Sequence, residues 1–273
     1  MPKKLTIATW NINSVRSRID AAVRFLEEEK PHVLCLQEIK CRNEEFPSKA
    51  FKDAGYKHIQ VRGQKGHHGV ATVSRIPLEP MPEPDLCAKG EGRAAAAMVG
   101  GIELHNYYFP SGGDEPDPEI NDKFAHKLEF WDRLQKRAKK ELKRLAAEPV
   151  LYVGDFNIAP GEHDVHNHKR LIKYVGHTPQ ESALYFETLK IGQFTDIERE
   201  LIPEPEQLPT WWSYRVKNWT PESPGWRLDH FWASQGLREA ALKGGRKALK
   251  IHTRTREWEK PSDHVPVTLT FQV

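Results

Sequence analysis

The chain has 273 residues, of which 38% are hydrophobic and 29% charged, and it carries a formal charge of +3 with a pI near 8.6. That length can bury a sizeable core, and no apolar run reaches membrane length, so a cytoplasmic protein without a membrane partner is expected. The mild positive balance permits a nucleic-acid partner without demanding one. Three cysteines, Cys35, Cys41 and Cys87, leave an odd one over and show no metal-type spacing. They read as reduced thiols, with Cys35 inside an apolar strand.

Residues 5–10 read as a strand that runs into Asn11-Ile12-Asn13. A helix follows over 16–29, with Ile19, Val23 and Leu26 on one face and Pro31 as its stop. Val33-Leu34-Cys35-Leu36 is a short apolar run that delivers Gln37-Glu38. Strands are expected near 57–61, 69–74, 94–99 and 102–109, with Gly100-Gly101 as a turn between the last two. The proline-rich stretch 77–84 reads as a loop, as do those around 116–118 and 203–209. Phe124, Leu128, Trp131, Leu134, Ala138, Leu142 and Leu145 repeat at three- and four-residue steps, giving one long amphipathic helix. The run 150–153 ends in Gly154-Asp155-Phe156-Asn157, a strand over 228–233 carries Asp229, and a further strand is expected at 211–214. Ser262-Asp263-His264-Val265 leads into a last strand at 266–272. Strands outnumber helices without regular alternation, which predicts packed mixed sheets with helices outside, in one domain over 1–273.

Carboxylates, carboxamides and an imidazole thus recur at the ends of apolar strands, and convergence on one site is the parsimonious reading. Glu38, with Asp263 or Asn13, offers hard oxygen donors suited to Mg²⁺, with Mn²⁺ as a substitute, rather than Zn²⁺. Phosphodiester hydrolysis needs an activated water, charge neutralisation and help for the leaving oxygen. Asp155 is a candidate to take the water proton, and Asn157, two residues on, is expected on the same side of an extended strand. His264, oriented by Asp229, is placed to donate to a phosphate oxygen.

The segments Trp10-Asn11-Ile12-Asn13, Leu36-Gln37-Glu38-Ile39-Lys40, Gly63-Gln64-Lys65-Gly66, Tyr108-Phe109-Pro110, Gly154-Asp155-Phe156-Asn157, Trp211-Trp212-Ser213, Trp226-Arg227-Leu228-Asp229 and Ser262-Asp263-His264 occur in one order along the chain. In this it closely resembles the bacterial exonuclease III branch of the exonuclease–endonuclease–phosphatase superfamily. The resemblance covers nearly the full length. It implies a four-layered α/β sandwich, two mixed β-sheets face to face with helices outside. It also implies Mg²⁺-dependent cleavage of DNA 5′ to abasic sites in base-excision repair, with 3′→5′ exonuclease and 3′-phosphatase activity alongside. The expected partner is double-stranded DNA with abasic sites or blocked 3′ ends, acted on by a monomer. Carried over by position, Glu38 is the metal ligand, and Asp155 positions or deprotonates the water. Asn157 orients water and phosphate, Asn11 supports the site, and Tyr108 contacts the phosphate, which His264 paired to Asp229 stabilises. Asp263 is a further metal ligand or supporting carboxylate, and Asn13 lies with it. Trp211, Trp226 and Leu228 match an apolar pocket for a flipped-out abasic sugar. Arg62, Lys65 and Lys40, with Ser111, are candidate substrate contacts. Two departures stand out: His32 where the family has Asp, and Ser111 where relatives carry Asn or Gln.

Blander readings compete at several places. The His163–His168 run is a surface loop more readily than a second metal site. The basic run 136–144 reads as a solvated helix face, and Trp219 and Trp258 are core residues or groove wedges. Two rival functions are a phosphoesterase acting on a small molecule or lipid headgroup, and a DNA-binding module without catalysis.

Overall fold

The computed structural model describes residues 4–82 and 84–272, and every statement below concerns those. Twelve strands form two six-stranded sheets. The first sheet contains β1 (Leu5–Asn11), β2 (Val33–Gln37), β3 (His58–Arg62), β4 (Val70–Ser74), β11 (Leu249–Ile251) and β12 (Val267–Phe271), in the order β11-β12-β1-β2-β4-β3. The second contains β5 (Leu78–Met81), β6 (Ala94–Val99), β7 (Ile102–Tyr108), β8 (Val150–Asp155), β9 (Thr195–Asp196) and β10 (Asp229–Ala233), in the order β5-β6-β7-β8-β10-β9. The helices are α1 (Ile19–Glu29), α2 (Ser48–Asp53), α3 (Asp122–Ala147), α4 (His168–Leu171), α5 (Pro179–Gly192), α6 (Ile197–Leu201) and α7 (Gln235–Leu242).

Each sheet has one parallel pair at its centre, β1–β2 and β7–β8, and antiparallel neighbours on both sides. A parallel pair needs a crossover, which α1 and α3 supply. Leu5, Ile7, Val33, Leu151, Val153, Phe231 and Leu269 pack between the sheets. The alternate residues Ala8, Trp10, Leu34 and Leu36 face outward beneath Phe25 and Leu26 of α1. Tyr107, Tyr152 and Trp232 do the same beneath Phe130, Trp131 and Leu134 of α3 and Tyr185 of α5. Period-two alternation thus feeds three apolar layers, and the expected four-layered sandwich is present.

Several local expectations change. The first helix starts at Ile19, because Asn13 and Ser14 take positive φ and turn the chain first. It ends at Lys30, left-handed at φ 49, ahead of Pro31. Within 77–84, β5 forms on a sheet edge, where Pro80 costs no central ladder bond. The strand expected at 211–214 is absent; Trp211 makes only isolated bridges to Trp226 and His264. On α3 the buried stripe runs through Phe124, Lys127, Phe130, Trp131, Leu134, Ala138 and Leu145, while Leu128 and Leu142 lie at its margin. Among the described residues no helix is long and apolar enough to cross a membrane.

Candidate active site

The topology explains why polar groups meet. β1, β2, β7 and β8 all end at one edge of the sandwich, and β10 and β12 begin there. Asn11 sits opposite Gln37, and Asp155 has Tyr108 on one side and Asp229 on the other. Gly154 makes this tight edge feasible: at φ 142, a Cβ there would lie 2.0 Å from the Tyr107 carbonyl oxygen.

Asn11 Nδ2 joins the two sheets, donating to Glu38 Oε2 at 3.0 Å and to Asp155 Oδ2 at 2.8 Å. Asp155 is almost fully buried and also accepts from the Asn157 backbone N–H at 2.8 Å and from Asn157 Nδ2 at 3.2 Å. Asn157 lies in a turn at φ 51, so it reaches Asp155 by folding back, not by alternation along an extended strand. Its Nδ2 also donates to the Phe109 carbonyl at 2.9 Å. His264 Nδ1 faces Asp229 Oδ2 at 2.8 Å, and its Nε2 lies 3.7 Å from Asp155 Oδ2. Glu38, Lys40, Asn13, Ser14 and Asn157 all have positive φ, so strained backbone concentrates at this edge.

Burial pushes the Asp155 carboxyl up to about 7, against the pull of His264 and the Asn11 and Asn157 donors. Burial opposes a charged His264, yet the carboxylates of Asp229, Asp155 and Asp263 raise it to about 10. The Tyr108 hydroxyl is held well above its ordinary range, first by burial and then by Glu38 and Asp155, so it remains a neutral donor. Burial works against the Asp263 carboxylate, but His264 and the donors Asn13 and Trp211 more than offset it and hold it low.

A cavity of about 380 Å³ opens over these groups. Asn11, Glu38, Tyr108, Ser111, Asp155, Asn157, Asp263 and His264 form its polar side, and Trp211, Trp226 and Leu228 an apolar wall. Trp211 and Trp226 meet edge to face at 6.1 Å. Lys40 Nζ reaches Glu38 Oε1 and Asn13 Oδ1, both at 2.7 Å, and Asn13 Nδ2 donates to Asp263 Oδ1 at 3.0 Å. Trp211 Nε1 donates to Asp263 Oδ2 at 3.0 Å. Arg62 and Lys65 lie elsewhere: Arg62 ends β3 and lines a hollow with Cys87 and Glu91, and Lys65 sits in the exposed loop beyond it.

Carboxylate and carboxamide oxygens dominate the donors facing the cavity, beside the His264 imidazole and without a thiolate. That lining suits a hard divalent cation, which Glu38 would be the residue to hold, with Asp263 and Asn13 linked behind.

Other residues that stand out in the sequence lie outside the cavity. His32 N donates to the Thr6 carbonyl, and its Nδ1 accepts from Thr6 N at 3.0 Å, at the opposite end of β1 from the site. Asp164 is locked by Arg199 and Arg227, and His168 Nδ1 meets His177 Nε2 at 2.9 Å, so the His163–His168 run forms no metal cluster among the described residues. In the basic run, Arg137 pairs with Glu141 and Arg144 with Glu103 and Glu141, while Lys139, Lys140 and Lys143 are exposed. Trp219 meets Trp212 edge-on at 5.4 Å, and Trp258 lies beneath Arg24.

Sequence reasoning missed the support. Lys127 Nζ, fully buried, donates to the Asn157 carbonyl at 2.7 Å and pairs with Glu181 at 2.5 Å. Arg227 is clasped by Asp164, Asp196 and Glu198 directly behind Asp229. A lysine three residues after Phe124 and four before Trp131, on an otherwise apolar stripe, was the available signal for the first.

Residues 8–264 match the Endonuclease/Exonuclease/phosphatase family. The chain is 32% identical to an exodeoxyribonuclease III from Haemophilus influenzae, over 97% of this chain and 98% of that protein. It is 34% identical to an AP endonuclease from Archaeoglobus fulgidus, whose structure matches with a TM-score of 0.88 over 98% of this chain and 100% of that one. A 3′-5′ exonuclease from Neisseria meningitidis matches at 31% identity and a TM-score of 0.87, over 98% of this chain and 100% of that one. Sequence and fold agree: this chain belongs to the endonuclease/exonuclease/phosphatase family.

Proposed function

We propose that this protein is a Mg²⁺-dependent DNA phosphodiester hydrolase of the exonuclease III type. It incises double-stranded DNA 5′ to abasic sites in base-excision repair and also trims blocked 3′ ends by 3′→5′ exonuclease and 3′-phosphatase action. It works as a monomer in the cytoplasm. The observation that carries this reading is the buried Asp155, held by Asn11 and Asn157 and facing His264, at the floor of a cavity with an apolar wall.

Each residue has a role that follows from its surroundings. Asp155, with its carboxyl near neutrality, accepts the proton of the attacking water. Asn157 fixes that carboxylate through two hydrogen bonds and orients the water. His264, kept charged by Asp229, donates to a non-bridging phosphate oxygen where negative charge grows, and Tyr108 donates beside it. Asn11 keeps Glu38 and Asp155 in register. Glu38, with Asp263 and Asn13 behind it, would hold a Mg²⁺, which would supply charge neutralisation for the phosphate and the leaving oxygen. Trp211, Trp226 and Leu228, the apolar wall of the cavity, receive the extruded sugar. Lys40 and Ser111 border the bound strand, and Arg62 and Lys65 reach phosphates farther along it.

Two labelled duplexes test the reading, one with a central abasic-site analogue and one intact with a recessed 3′ end, each with Mg²⁺ and with or without EDTA. A Mg²⁺-dependent incision 5′ to the lesion, faster than end trimming, is expected. Trimming alone would move the protein to an exonuclease role, and inertness toward both would return attention to small phosphoesters.

A further inference from the structure

A second constellation, away from the cavity, gathers donors of a different character. Cys87, half-buried in the loop before β6, places its Sγ 3.3 Å from His126 Nε2 on α3 and 4.0 Å from Glu91 Oε2. The three ligand atoms all lie within 4.8 Å of one another. A tetrahedral Zn²⁺ with a thiolate at about 2.3 Å and an imidazole at about 2.05 Å holds those two atoms about 3.6 Å apart. The observed sulfur–nitrogen distance is therefore within a few tenths of an ångström of a ligated one, and the 4.0 Å sulfur–carboxylate distance must close by about 0.4 Å.

Access and protonation also favour ligation. Cys87 lines one surface hollow, His126 lines another, and Glu91 borders both. Burial holds the His126 imidazole below its ordinary value, so its lone pair is available at neutral pH. The set of one sulfur, one nitrogen and one oxygen differs in kind from the oxygen-lined cavity, and soft donors select Zn²⁺ over Mg²⁺.

We propose that Cys87, Glu91 and His126 form a binding site for a thiophilic divalent cation such as Zn²⁺, with the fourth position taken by water. On binding, the Cys87 S–H bond is replaced by a sulfur–metal bond and its proton passes to solvent, with no change of oxidation state.

Occupancy of this site is coupled to the cavity. Glu91 Oε2 lies 2.5 Å from Arg93 Nε, and the Arg93 guanidinium donates to the Tyr108 carbonyl at 3.3 Å and sits 5.0 Å from the Tyr108 ring centre. His68 Nδ1 lies 3.0 Å from Arg93 Nη2. Metal at Glu91 competes for the oxygen that anchors Arg93, so the support of Tyr108 changes. The adjacent guanidinium also lowers the affinity for a cation, which suits a reversible site.

Cobalt substitution tests the site independently of any nuclease activity. The EDTA-stripped full chain is titrated with CoCl₂ and the thiolate-to-cobalt charge-transfer absorption is followed in the near ultraviolet. Cys35 and Cys41 are fully buried in the core, so Cys87 is the accessible thiol among the described residues. A band saturating at one equivalent and displaced by Zn²⁺ is expected. It should vanish in Cys87→Ser, weaken strongly in His126→Gln, and persist in Glu38→Gln. No band in folded wild-type protein, a band surviving in Cys87→Ser, or unchanged binding in His126→Gln would each overturn the proposal.

Discussion

Lys127 and Glu181 offer the sharpest test of how this fold supports its site. Both side chains are fully excluded from solvent, with Nζ 2.5 Å from Oε1. The same ammonium donates to the carbonyls of Asn157 at 2.7 Å and Ser111 at 3.4 Å. Glu181 in turn accepts from Gly176 N and from Thr178 N and Oγ1. Lys127→Met keeps most of the stem packing but strands a buried carboxylate and two carbonyls. Breaking such a pair from one side costs about 3–5 kcal/mol, a large share of the roughly 5–15 kcal/mol that holds a domain together. Glu181→Gln retains an oxygen for the backbone donors, so it should cost less, on the order of 2 kcal/mol. Because the two groups form one unit, the double variant should cost about 2 kcal/mol less than the sum. Urea denaturation of the four proteins measures this cycle. Single-turnover assays should also show kcat falling more than KM rises in Lys127→Met, since the Asn157 turn loses its tether. A loss under about 1 kcal/mol in Lys127→Met, or simple additivity, would refute the reasoning.

Three further outcomes are expected. Asp155→Asn should abolish turnover while DNA affinity in a gel-shift assay stays near wild type; a near-normal rate would remove its assigned role. His264→Ala should cost on the order of 3 kcal/mol in kcat, as for a lost oxyanion donor, and steady-state kinetics at saturating DNA would show it. Burial lowers His230 to about 3 and His252 to about 4, from 6.5. Between those values and 6.5 the unfolded chain binds protons the folded chain does not, so stability is full above pH 6.5 and falls on acidification. Each histidine removes up to about 1.4 kcal/mol per pH unit in that window; urea midpoints that stay flat from neutrality to about pH 5 would contradict this.

The cavity's polar floor was legible because its residues end or begin apolar strands, a pattern that alternation exposes. Asp155, Glu38 and His264 each stand at the end or start of an apolar run, the pattern that marks them as candidates for one site. What lay behind them was hidden for a physical reason. Helix α5 presents Glu181, Tyr185 and Thr188 inward, so its buried face lacks an apolar stripe, and no helix was expected there. Arg227 stands in the sequence only as part of the Trp226–Asp229 motif, and its enclosure by the carboxylates of Asp164, Asp196 and Glu198 depends on the fold. The tryptophans at 211 and 212 suggested a strand by composition, whereas their burial depends on the Trp226 and Asp263 segments. Asn157 was assigned the right neighbour for the wrong reason, since a left-handed turn, not strand alternation, brings it to Asp155.

Asn11 has a consequence beyond orientation. Its single Nδ2 spans two separate sheets, touching Glu38 on one and Asp155 on the other. The reactive geometry is therefore a gauge of how the two sheets slide past each other. A sub-ångström slip would break the 2.8 Å contact to Asp155 while the 3.0 Å contact to Glu38 and every ladder bond within each sheet survived. Heating should silence the enzyme before far-ultraviolet dichroism registers a change, so turnover tracks tertiary registry more finely than secondary-structure content does.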